Sequence, residues 1–245
     1  MRAVLLLLVL ALPAAAADLG GLDWDQHPGA SLPFDAPLTG GDGRATSLRR
    51  AAAGLPLILA PGYFRCPNLC GIVRDDLFAA LASSGLRPGR DVAVALVTID
   101  PAETADDAAA AVAGILDRYP GLVLHALTGP AASLDAIAAA AGFRARFDPA
   151  SRQFLHPAGV VLATASGLVS GYALGVGYAP AALAEAVAAA REGRFAAAEP
   201  IRLFCFSYDP ITGRFSLAVM EALRLGAVAT VLGIGVAIAR LARRA

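Results

Sequence analysis

Three short apolar runs without a fixed charge, residues 55–60, 92–99 and 122–127, alternate with segments of helical spacing. Runs of this length suit strands buried on both faces, as parallel sheets require. Residues 67–83 place Leu69, Ile72, Val73, Leu77 and Leu81 on one side of a helix. Residues 104–119 read as a second helix, with a capping signal from Thr104 to Asp107. Residues 131–141 read as a third helix, ended by Gly142. Two further runs, 159–164 and 168–174, are joined by Ala165, Ser166 and Gly167 and predict a hairpin. Residues 180–191 close the series as a helix with Pro180 in its first turn. The order β-α-β-α-β-α-β-β-α predicts an α/β three-layer domain over residues 44–195. Its mixed central sheet has early strands parallel and a late antiparallel pair. Residues 18–43 are polar and Gly/Pro-rich and read as a loop extension with a short hairpin near Asp42 and Gly43.

The two ends differ from this body. Arg2, an apolar run over residues 4–12 and the small residues that follow Pro13 make a signal peptide, residues 1–17, with cleavage after Ala17. That predicts an exported protein. After a connector, residues 196–216, comes a second apolar segment. Residues 225–239 carry no charge but number only 15, against the roughly 20 that span a bilayer. Extension back to Leu217 adds Glu221 and Arg224, an i, i+3 pair able to meet. Arg240, Arg243 and Arg244 follow, and a basic cluster after an apolar run marks the cytoplasmic side. The expectation is a transmembrane helix over residues 217–240 and a cytoplasmic tail over 241–245. The protein would sit in a bacterial inner membrane by a single C-terminal anchor, with its main domain periplasmic.

Composition excludes other classes. Formal net charge is zero, and arginine supplies every fixed positive charge because lysine is absent. No basic block or interleaved aromatic stripe points to nucleic acid. Met1 and Met220 are the only methionines, so a methionine-rich metal site is excluded.

Chemistry concentrates in Cys66-Pro67-Asn68-Leu69-Cys70, directly after the first strand and at the opening of the first helix. A helix N-terminus favours thiolate. Cys70 lies four residues on, one turn along the same face. Two sulfurs so placed can form a disulfide or chelate one soft metal ion, and spacing alone does not choose. The three-residue gap departs from the two-residue redox signature. An imidazole added to the pair makes a Cu(II) site feasible. Of three histidines, His27 falls in the polar extension and His125 alternates within a strand. His156 falls in the loop before the hairpin, where a thioredoxin-like sheet would bring it beside the first helix. Cys205 is left without an assigned role.

Taken together these residues resemble the Sco/SenC family of copper chaperones, over residues 32–191. The strand Leu57-Ile58-Leu59-Ala60-Pro61-Gly62-Tyr63 with its cysteine motif carries the likeness. So do Asp100-Pro101-Ala102-Glu103-Thr104 at the end of the next strand, His156 ahead of the hairpin, and the strand entry at Gly54. The resemblance implies a thioredoxin-like fold and one copper, Cu(I) or Cu(II), bound by Cys66, Cys70 and His156, with Asp100 near the site and tuning it. It implies a role in building the CuA centre of cytochrome c oxidase. The oxidase CuA subunit would be a partner, along with other copper chaperones or thiol reductants. The sequence departs from the family pattern at Gly71 and at Pro157, and the His156–Pro157 bond admits a cis form. The alternative function is an exported thiol–disulfide oxidoreductase, Cys66 attacking and Cys70 resolving, without metal.

Overall fold

The structure is a computed structural model that describes residues 22–66, 70–149, 152–198 and 217–243. The expected signal peptide, most of the connector with Cys205, and Arg244 in the tail lie outside the described residues. The chain divides into two units, residues 21–205 and a unit containing the C-terminal segment.

In the main unit, strands β1 (Leu38–Gly40), β2 (Ala45–Thr46), β3 (Leu57–Gly62), β4 (Ala93–Thr98), β5 (His125–Thr128), β8 (Gly159–Ala163) and β9 (Val169–Leu174) form one sheet. Their spatial order is β2-β1-β5-β4-β3-β8-β9. β3, β4 and β5 run parallel, while β8 is antiparallel to both β3 and β9. The predicted mixed sheet and late hairpin are therefore present. The helices are α1 (Leu48–Ala52), α2 (Cys70–Ser83), α3 (Ala105–Arg118), α4 (Ala131–Ala140) and α5 (Pro180–Arg191).

Three layers follow from the two-residue period of the strands. Leu57, Leu59, Ala95, Val97 and Val161 face a core completed by Leu48 of α1 and Leu134 and Ile137 of α4. Ile58, Val94, Leu96, Val160 and Leu162 face the opposite core, with Leu77 and Leu81 of α2, Ile115 of α3 and Leu183 and Val187 of α5. The capping box predicted at the start of α3 forms: the Thr104 side chain accepts from the Asp107 N–H and the Asp107 carboxylate accepts from the Thr104 N–H.

The expected N-terminal extension is part of this domain. Leu22, Trp24, Leu32 and Phe34 are buried, and residues 22–34 pair with the body through bridges Trp24 to Phe143 and Ser31 to Leu168. The hairpin around Asp42 and Gly43 joins β1 to β2, and β1 extends the sheet antiparallel to β5. A second, separate hairpin pairs β6 (Arg146–Asp148) with β7 (Gln153–Leu155). At the other end, Ala196 N–H donates to Ser170 O and Ala198 N–H to Gln26 Oε1, so the chain follows the domain through Ala198.

The C-terminal segment forms α6 (Leu217–Ala242), but the expected transmembrane helix is corrected. Among the described residues no helix is long and apolar enough to cross a membrane. The 26-residue helix carries Glu221, Arg224 and Arg240. The uncharged stretch between the two arginines holds 15 residues, about 22 Å of helix at 1.5 Å per residue. A hydrocarbon core measures about 30 Å. The single C-terminal inner-membrane anchor, and the cytoplasmic tail read from it, fall with that helix.

Candidate metal centre

The sheet brings three sequence-distant loops to one end. β3 and β4 are parallel, so their C-terminal ends emerge side by side. β8 runs antiparallel to β3, with Leu59 opposite Val161, so the residues before β8 meet those after β3. Phe64 and Arg65 therefore lie near residues 98–104 on one side, and Tyr63 lies near His156 on the other.

His156 is 5 % exposed. Its ring lies edge-on to Tyr63, with centroids 6.1 Å apart, and tilted against Phe143 at 5.4 Å. Nδ1 lies 3.0 Å from the Pro157 carbonyl oxygen. A carbonyl only accepts, so Nδ1 carries the proton and Nε2 bears the lone pair. Burial pushes the imidazole pKa below its ordinary value, against an opposing effect of the Pro157 hydrogen bond. A neutral ring with Nε2 unprotonated is the form that binds metals. The His156–Pro157 bond is trans, since no cis peptide occurs among the described residues.

Beside His156 is a cavity of about 30 Å³, lined among others by Tyr63, Phe64, Val73, Arg74 and Pro157. That volume admits a single water- or ion-sized occupant and is far below the several hundred Å³ of small-molecule sites. Cys66 is half-buried, three residues past Tyr63. Cys70 opens α2; its side chain, and residues 67–69, lie outside the described residues. Among the described residues no group of three His, Cys, Asp or Glu side chains forms a metal cluster. The donor types at this end of the sheet, soft sulfur and neutral imidazole, suit copper.

Asp100 sits at the same end of the sheet. Its Oδ2 lies 3.4 Å from an Arg65 guanidinium nitrogen, so it faces the residue that precedes Cys66. His125 begins β5, half-buried as its strand position predicts. His27 pairs with Asp25 through Nε2 at 3.4 Å.

Glu103 is part of the segment that carries the family resemblance, but nothing in the sequence assigns it a role of its own. Its side chain has no exposed surface. Oε2 accepts from the Phe64 N–H at 2.8 Å and from the Thr98 hydroxyl at 2.5 Å; Oε1 accepts from the Arg65 N–H at 2.6 Å. A carboxylate at full burial is held only where hydrogen bonds surround it. The signal was its place just before the Thr104 cap. The cap is satisfied by Asp107, which leaves Glu103 free of the helix and turned inward.

The SCO1/SenC family pattern matches residues 32–192. This chain belongs to the SCO1/SenC family. The SCO1/SenC fold is shared with solved structures. A putative electron transfer protein from Aquifex aeolicus VF5 is 25% identical at a TM-score of 0.60, covering 68% of this chain and 95% of that one. ScoI from Arabidopsis thaliana, solved with copper bound, is 19% identical at 0.54, covering 68% and 99%. A SCO1/SenC family lipoprotein from Bacillus anthracis is 14% identical at 0.54, covering 69% and 96%. No curated protein matches the sequence.

Proposed function

We propose that this SCO1/SenC protein binds one copper ion through Cys66, Cys70 and His156 and serves assembly of the CuA centre of cytochrome c oxidase. The observation that carries the reading is His156. It is buried and neutral, its Nδ1 is committed to the Pro157 carbonyl, and it packs on Tyr63 at the head of the segment leading to Cys66. Thiol–disulfide exchange between Cys66 and Cys70 needs only the two sulfurs, whereas a Cu(II) site calls for a nitrogen donor of this kind. The copper-bound Arabidopsis relative, which shares the fold, supports the same choice.

Copper is cargo here. Two thiolates hold Cu(I), a soft ion content with few ligands; the imidazole completes a site for Cu(II), which favours nitrogen. His156 Nε2 supplies that nitrogen without first losing a proton. Asp100 tunes the site at one remove, by its pairing with Arg65 rather than as a ligand. Other copper chaperones would load the site, thiol reductants would keep the cysteine pair reduced, and the CuA subunit of the oxidase would receive the metal.

The test is complementation of cells lacking the protein, read as CuA incorporation. His156→Ala should leave oxidase without CuA while purified protein keeps its thiol-exchange activity. Normal CuA incorporation with His156→Ala would assign the protein to thiol exchange.

A further inference from the structure

We infer that Glu103 is a positioning residue for the metal centre, fixing the backbone that presents Cys66. The inference rests on the copper-binding reading for its consequence, but its geometry stands apart from it.

The carboxylate grips two consecutive backbone N–H groups, Phe64 at 2.8 Å and Arg65 at 2.6 Å. These are the last two residues before Cys66. The Thr98 hydroxyl, at the end of β4, anchors the carboxylate from behind. The neighbouring backbone is sheet-like as far as Gly62, whose carbonyl accepts from the Ile99 N–H at 2.7 Å. Beyond Gly62 the ladder between β3 and β4 ends, and Glu103 takes over its role for two more residues.

Arg65 is held as well. Its guanidinium lies 3.4 Å from Asp100, 3.7 Å from Glu103 and 3.9 Å from Asp107. Two carboxylates on the segment leading into α3 and a third in its first turn thus hold the Arg65 side chain toward α3. The backbone N–H groups and the guanidinium are fixed from one direction, leaving Cys66 as the next residue of a held loop. Ligand geometry set by such supporting hydrogen bonds typically matters by about 10–100-fold in metal affinity.

Glu103→Gln keeps the shape but replaces one acceptor oxygen with a donor NH2, which cannot accept from a backbone N–H. One of the two N–H groups must lose its partner. The experiment has two readouts on the same proteins. Amide hydrogen exchange on apo protein reads the clamp. Titration with Cu(II), followed by the thiolate-to-copper absorption band, reads the site. In wild type the Phe64 and Arg65 amides should exchange as slowly as β3 amides. In Glu103→Gln one or both should exchange at least about ten-fold faster, with β3 unchanged, and Cu(II) affinity should fall about 10–100-fold with a shifted band. Thr98→Val, which keeps both backbone contacts, should lose far less.

Rapid exchange at Phe64 and Arg65 in wild type overturns the clamp and needs no variant to fold. Faster exchange in Glu103→Gln with an unchanged band and affinity overturns the positioning role while copper binding stands. A wild type that takes up no copper overturns the proposed function instead, and slow exchange would still report the clamp.

Discussion

The indole Nε1–H of Trp24 donates to the carbonyl oxygen of Ala158 across 3.0 Å, joining residues 134 positions apart in sequence. Ala158 is two residues past His156. The same indole packs edge-on against Phe143 at 4.9 Å, and Phe143 packs against His156. The N-terminal segment thus holds the His156 loop from behind, as Glu103 holds the Cys66 loop from the side of β4.

Trp24→Phe should destabilise the domain by about 1 kcal/mol, because the indole hydrogen bond to the Ala158 carbonyl is lost while the Gly175 N–H still donates to it. Urea denaturation measures this. A change within a few tenths of a kcal/mol would mean that the N-terminal segment does not hold the loop. Trp24 is also the only tryptophan, so Cu(II) bound near His156 should quench the protein's indole fluorescence.

Gly142 seats that same segment. Its φ is +68°, and a Cβ there would stand 1.7 Å from the Asp25 carbonyl oxygen. Gly142→Ala should therefore cost more than the about 1–2 kcal/mol of a left-handed alanine alone. Either the 22–26 backbone shifts or the protein unfolds more readily. A thermal midpoint equal to wild type would contradict the packing.

Protonation of His156 should couple to stability with a definite sign. Burial holds its folded-state pKa below 6.5, so the unfolded chain binds more protons between that lowered value and about 6.5. Stability from this group is fully present above about 6.5 and is lost as pH falls toward the lowered pKa. His125 is also lowered by burial and acts with the same sign. His156→Gln should therefore flatten, without abolishing, the loss of stability as pH falls below about 6.5. An unaltered slope would contradict a buried neutral His156.

The α/β layering was legible because buried strands write themselves as uncharged runs: the 92–99 run became β4, buried throughout. The Thr104–Asp107 cap was legible because side-chain capping is local. The N-terminal segment was not, since Trp24, Leu32 and Phe34 reach the core singly and without period. Leu122 and Val123 read as strand but precede it; β5 starts only at His125. Separation between the β6–β7 hairpin strands is short, and Phe147 stays half exposed, so no apolar run announced it. At the site, Cys66, Cys70 and His156 stood out by residue type and spacing. Glu103 was visible only as part of the family-like segment, and its role was not, because a carboxylate in a polar loop looks exposed until the fold turns it inward. The C-terminal apolar segment showed its helix but not its span, because its uncharged stretch between Arg224 and Arg240 is too short to cross a bilayer.

The central claim is tested most directly by copper stoichiometry of the purified, reduced protein, metal per chain, for wild type, Cys66→Ser/Cys70→Ser and His156→Ala. Wild type should hold one Cu(I) and one Cu(II) equivalent in separate titrations. The double serine variant should hold neither, and His156→Ala should keep Cu(I) but lose Cu(II). Retention of copper at wild-type level by the double serine variant would place the site elsewhere and contradict the account.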